Sequence, residues 1–115
     1  MENKENIIVT LTFKFALGII SYCDTLQENR KFVIANQLLK SGTSIGANIR
    51  EAQNAESKAD FIHKFKISAK EIEETIYWLE LCKYSKDYPN VDQLLDQVNA
   101  ISRVVNKIII TSKQK

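Results

Sequence analysis

Residues 40–52, KSGTSIGANIREA, decide how this chain folds. Ile45, Ile49 and Ala52 continue the spacing of Ile34 and Leu38, so the five share one side of a helix. Yet the stretch is rich in residues that helices disfavour: Gly42 and Gly46 cost about 1 kcal/mol each against alanine in a helix interior, and Ser41, Thr43, Ser44 and Asn48 add to that. A helix that keeps such residues gains something by them, and close approach of a second helix or chain to a surface of small side chains is the expected gain. Ala35, Gly42 and Gly46 form that small edge, while Gln37, Ser41, Ser44, Asn48 and Glu51 form a polar edge on the other flank. Spacing leaves open whether the polar edge is solvated, hydrogen-bonded across to another helix or lining a lumen. If buried, an unpaired group there would cost about 1–3 kcal/mol.

Outward from this stretch the pattern stays helical. One proline and three glycines punctuate 115 residues, which favours long helices with short connections. The spacing predicts helices over about 7–26, 31–55, 58–84 and 91–112 within a single domain, residues 1–115. In the first, Ile8, Leu11, Phe15, Ile19, Tyr22 and Leu26 form one stripe, and Val9, Phe13, Ala16, Leu17, Ile20 and Cys23 form a second beside it. A bundle helix needs one apolar face. The surplus predicts cover from two directions, its own bundle and a neighbouring subunit. Ser57 is the expected N-cap of the third helix, with Asp60 in its first turn. That helix carries Phe61, Phe65, Ile72, Ile76 and Leu79 as its main stripe. Trp78 lies off it, either covering the end of the bundle or anchoring a subunit interface. Leu94, Val98, Ile101, Val105 and Ile108 complete an all-α, antiparallel up-down-up-down four-helix bundle.

Several chemistries are disfavoured by composition and spacing. Cys23 and Cys82 are far apart and outside any C-x-x-C motif, so buried free thiols are expected. His63 is the single histidine, too few for a di-metal carboxylate centre built on Glu-x-x-His pairs. No Gly-rich loop precedes a Lys-Ser/Thr pair, and no nucleophile stands in a recognisable triad. The expectation is a protein without enzymatic activity, cofactor or metal. Charged residues at the start and Thr10, Thr12 and Lys14 within the first apolar run argue against a signal peptide or membrane span, which makes the cytoplasm the expected location.

The run LLKSGTSIGANIREA (38–52), followed by SKADFIHKFKISAKEIEETIYWLELC (57–82), resembles the signature of the bacterial four-helix-bundle family that includes the rRNA intervening-sequence proteins. The accessory variability determinant of diversity-generating retroelements is related to it. The resemblance spans nearly the whole chain, and it implies a bundle that assembles into a ring-like homopentamer. The related determinant binds nucleic acid and a reverse transcriptase through a basic surface. Family positions fall on Ser41, Ser44, Gly46, Asn48, Glu51, Glu71, Tyr77, Trp78 and Glu80; Lys40 stands where arginine is common, keeping the charge without the bidentate fork.

These readings give three groups of candidate residues. Gly42, Gly46, Ser44, Asn48 and Trp78 are expected at helix-packing or subunit contacts. Ser44, Asn48, Glu51 and Glu71 are expected to form a polar network between the second and third helices. Net charge is only +2, from 16 basic and 14 acidic residues, but the basic ones cluster. Lys58, Lys64, Lys66 and Lys70 precede an acidic stretch of the third helix, and Arg103, Lys107, Lys113 and Lys115 end the fourth, so these eight are candidate nucleic-acid contacts. The functional expectation is a homo-oligomeric scaffold or interaction protein, with a nucleic-acid-binding accessory factor in RNA processing or reverse transcription as the alternative.

Overall fold

The computed structural model describes residues 4–114, which form four helices: α1 (Lys4–Glu28), α2 (Phe32–Ala52), α3 (Lys58–Tyr84) and α4 (Asp92–Lys113). No strand occurs among the described residues. The helices lie around a square, with α1 on α2, α2 on α3, α3 on α4, and α4 back on α1. Across the diagonals no Cα of α1 comes within 8 Å of one of α3, and none of α2 within 8 Å of α4. Contacts descend α1 as they climb α2: Gly42 meets Ile19 and Gly46 meets Thr12. The same reversal links α2 to α3, where Ser41 meets Thr75 and Glu51 meets Lys64.

Each helix buries one stripe, and the four stripes meet in a single core around Phe15, Ile19, Leu38, Ile45, Phe65, Leu79, Val98 and Val105. One position departs from the expected pattern on α1. Thr12 is buried and Leu11 is 38% exposed, so the stripe runs Ile8, Thr12, Phe15, Ile19. The reason is the glycine edge opposite, which draws α1 so near to α2 that only a small side chain fits at Thr12. Its hydroxyl donates to the Ile8 carbonyl at 2.8 Å, so burial leaves no polar group unpaired. α2 ends at Ala52, three residues earlier than the spacing suggests, because Gln53 to Ala55 turn toward the Ser57 cap. There the Ser57 hydroxyl accepts from the Asp60 backbone N–H at 3.0 Å.

The α1–α2 turn shows how a sequence without a convenient glycine closes a helix. Lys31 N–H donates to the Leu26 carbonyl at 2.8 Å and Arg30 N–H to the Gln27 carbonyl at 2.9 Å, the paired bonds of a Schellman motif. The left-handed residue of that motif is Arg30, with φ 64°. A side chain at this φ crowds the following carbonyl and costs about 1–2 kcal/mol, whereas glycine adopts it freely. Arg30→Gly is therefore expected to stabilise the fold by about 1 kcal/mol, after the extra chain entropy of glycine in the unfolded state is subtracted. Thermal unfolding checks this, and a lower Tm in the variant would show that the Arg30 side chain contributes more than its backbone costs.

Candidate interaction surface

Helix α1 buries its core stripe and still presents Phe13 (51% exposed), Leu17 (52%) and Ile20 (42%) on the side facing away from the core. Ile7 is exposed as well. α1 is long and apolar enough to cross a membrane by length and composition, which the polar interruptions in its sequence had argued against; its core stripe is taken up by the other helices. Along its border with α2 runs an open cleft of about 390 Å³. Val9, Phe13 and Ala16 form one wall and Thr43, Gly46 and Ala47 the other. Arg50 closes one end with its guanidinium 5.5 Å from the Phe13 ring centre, a cation–π contact. The cleft exists because small residues on α2 leave room that larger ones would fill.

The glycines on this border are not equivalent. A Cβ at Gly42 would lie 2.9 Å from both Cγ1 and Cγ2 of the buried Ile19, closer than atoms pack. At Gly46 it would lie 3.1 Å from Thr12 Oγ1 and 3.3 Å from its carbonyl, tight but beside the cleft. The close approach is therefore made within one chain, between α1 and α2.

The polar edge of α2 is arranged differently from the expected network. The Ser44 hydroxyl donates to the Lys40 carbonyl at 2.7 Å and the Asn48 amide to the Ser44 carbonyl at 2.9 Å, both within α2. Glu51 pairs with Lys64 of α3 at 2.9 Å, and Glu71 bonds to none of the three through its carboxylate. Glu71 is instead half-buried, with its pKa raised by burial and then by Glu74, against the opposing influence of Lys40 and Lys70. Besides that ion pair, two hydrogen bonds between α2 and α3 are made by buried residues. Ser41 and Thr75 share a 3.0 Å hydroxyl contact, and the Ser68 hydroxyl donates to the Ile45 carbonyl at 3.0 Å. Ser44 and Asn48 lie one helical step away from the α3 side, which is why they turn back on their own helix. Ser68 and Thr75 were legible only as serine and threonine in register with Phe65, Ile72 and Leu79.

Trp78 is half-buried against the core, and its indole N–H donates to Glu74 at 3.2 Å. Beside it the outward face of α3 carries Tyr77 (56% exposed), Leu81 and Tyr84 (81%), with Glu73 and Glu80 among them. Tyr77 and Trp78 meet edge to face at 5.3 Å between ring centres. This second apolar strip lies on the helix diagonal to α1.

Of the candidate nucleic-acid contacts, Lys58, Lys66, Lys70, Arg103, Lys107 and Lys113 are exposed, Lys64 is engaged with Glu51, and Lys115 lies outside the described residues. The fold brings Lys66 of α3 beside Lys113 of α4, and this neighbour pushes the Lys113 pKa down.

Among the described residues the fully buried titratable side chains gather in one cluster. Cys23, Cys82 and Tyr22 are all in the core, and the Tyr22 hydroxyl donates to the Pro89 carbonyl at 2.8 Å. Burial, with Cys82 adding, pushes the Cys23 thiol up to about 12, and burial also raises Cys82 and Tyr22. Such thiols are poor nucleophiles. Nor do they pair with each other, since they sit on diagonal helices whose Cα atoms are everywhere more than 8 Å apart, beyond the reach of a disulfide. Among the described residues no three His, Cys, Asp or Glu side chains gather as a metal site would require.

A crystal structure of a protein of unknown function from the S23 ribosomal protein family of Bacteroides thetaiotaomicron superposes with a TM-score of 0.88, at 39% identity over 93% of this chain and 98% of that one. No curated protein matches. The model of the 23S rRNA-intervening sequence proteins matches residues 4–107, nearly all of the four helices described above. On that match the chain belongs to the 23S rRNA-intervening sequence protein family.

Proposed function

We propose that this protein is a non-enzymatic, cytoplasmic scaffold: an antiparallel up-down-up-down bundle that closes the exposed face of α1 against other copies of itself in a ring-like homo-oligomer. The observation that carries this is the surplus apolar face of α1, where Phe13, Leu17 and Ile20 stay about half exposed beside the α1/α2 cleft. Monomers seldom leave contiguous apolar surface of this kind uncovered, and it marks interaction sites. Five subunits is the number that the family resemblance implies. Light scattering after size-exclusion chromatography tests the reading: a mass several times that of the monomer is expected across moderate salt, because burial of apolar surface is little affected by screening. A monomer at micromolar concentration would overturn it.

A second reading, a nucleic-acid-binding accessory factor, is favoured by one observation. Lys66 and Lys113 are exposed and near enough for Lys66 to lower the Lys113 pKa, a repulsion that an anion between them would relieve. The description of the family by intervening sequences of 23S rRNA makes structured RNA the ligand to try first. Binding that weakens steeply between low and moderate salt, and that weakens further in Lys66→Ala, is the expected result if this reading holds.

A further inference from the structure

The α1/α2 cleft has the dimensions and the lining of a small-molecule site. Its volume of about 390 Å³ stands at the lower end of the range for such sites, about 300–1,000 Å³. The walls call for nothing polar in an occupant. Val9, Phe13, Ala16 and Ala47 are apolar, and the two hydroxyls in the lining already donate to carbonyls of their own helices, Thr12 to Ile8 at 2.8 Å and Thr43 to Leu39 at 2.7 Å. From Val9 to Ala16 the α1 wall is about 10 Å long, a length matched by a short alkyl chain.

Charge enters at one end only, where Arg50 and Glu51 both line the cleft. The two are differently engaged. Lys64 of α3 holds the Glu51 carboxylate at 2.9 Å, whereas the Arg50 guanidinium lies over the Phe13 ring and forms no ion pair among the described residues. Arg50 and Lys64 against Glu51 leave this end with one positive charge in excess. It is carried by a planar guanidinium, whose paired N–H donors match the two oxygens of a carboxylate.

We propose that the cleft binds a small apolar monocarboxylic acid, with its chain between α1 and α2 and its carboxylate on Arg50. A carboxylate brings the single negative charge that this end lacks, whereas a phosphate monoester brings about 1.5 to 2. The proposal goes beyond the scaffold reading and does not depend on it, because Leu17 and Ile20, which serve the subunit contact there, are absent from the lining of the cleft.

Titration calorimetry of the full chain with octanoate tests this, with octylammonium and acetate as controls. The first control keeps the chain and reverses the charge; the second keeps the carboxylate and removes the chain. Octanoate is expected to bind saturably, once per chain, and both controls much more weakly. Arg50→Gln is expected to weaken octanoate about tenfold or more, as loss of a hydrogen bond to a charged group does. Glu51→Gln, which removes the opposing charge, is expected to strengthen it. Ala47→Phe fills the cleft and is expected to abolish binding. Ala47, Arg50 and Glu51 are exposed, so the fold is expected to survive these changes, and the smaller Ala47→Leu replaces Ala47→Phe if circular dichroism shows lost helix. Absence of saturable binding up to millimolar octanoate overturns the proposal. So does octylammonium that binds as well as octanoate with Arg50→Gln unchanged, which would mean apolar adsorption, or an Ala47 variant that binds as the wild type does, which would place the octanoate elsewhere.

Discussion

Gly42→Leu is expected to lower the unfolding free energy by about 3 kcal/mol, a large share of the roughly 5–15 kcal/mol that a domain has in total. The cause is local. A Cβ at this position already falls 2.9 Å from two carbons of Ile19, which is fully buried and, being β-branched in a helix, has essentially one rotamer. Neither side can give way without moving α1 off α2. Gly42→Ala separates the two opposing effects, since alanine gains about 1 kcal/mol in helix propensity and loses about 1–3 kcal/mol to overpacking, for a net loss. In an Ile19→Ala background the clashing carbons are gone, and the same Gly42→Ala change is expected to become stabilising by about 1 kcal/mol. Urea unfolding of the four proteins measures this reversal of sign. A Gly42→Ala protein more stable than the wild type in the native background would remove close approach as the reason for this glycine. At Gly46 the cost is expected to be smaller, because a longer side chain can turn into the adjoining cleft.

Alkaline pH is expected to unfold the protein through its buried acids. Cys23, Cys82 and Tyr22 hold their protons in the folded core at pH values where the unfolded chain has lost them. The folded state then binds more protons than the unfolded one, so stability is fully present below the unfolded values and falls as pH rises toward the folded ones. For Cys23 the window runs from 9.0 to about 12. Each such group contributes a slope approaching about 1.4 kcal/mol per pH unit, so the loss over that window reaches several kcal/mol. Unfolding free energies measured from pH 8 to 11 should therefore stay level at first and then drop. Cys23→Ala is expected to make the decline shallower, whatever it does to stability at neutral pH. A flat profile through pH 11 would mean that the cluster opens to solvent within the folded state.

The mechanics of the two regions explain why the same helix is both constrained and available. On its inner side α1 is held by Gly42 and Gly46 at a distance that fixes Thr12 and Ile19 in place. On its outer side Gly46, with Thr43 and Ala47, leaves the cleft that Phe13 borders, and Phe13 and Leu17 stay about half exposed. A larger residue on α2 would weaken the first arrangement and fill the second.

Sequence by itself determined the four helices, their core stripes but for Thr12 in place of Leu11, and the excess of apolar surface on α1, because each is a matter of spacing along one helix: Phe15, Ile45, Leu79 and Val105 show it in turn. It also singled out Gly42 and Gly46, whose cost to a lone helix has to be offset by a neighbour. Which neighbour was a question of distance between helices, and only the tertiary structure decided that it is α1 of the same chain. The polar contacts belong to the same class. Ser44, Asn48 and Glu71 stand at suitable positions along their helices, but a hydrogen bond forms within about 3 Å, and the rotation of α2 against α3 gives that distance to Ser41, Ser68 and Thr75 instead. The pairing of Lys66 with Lys113 and the placing of the α1 and α3 faces on opposite sides likewise depend on how four helices surround one core, which no spacing within a single helix contains.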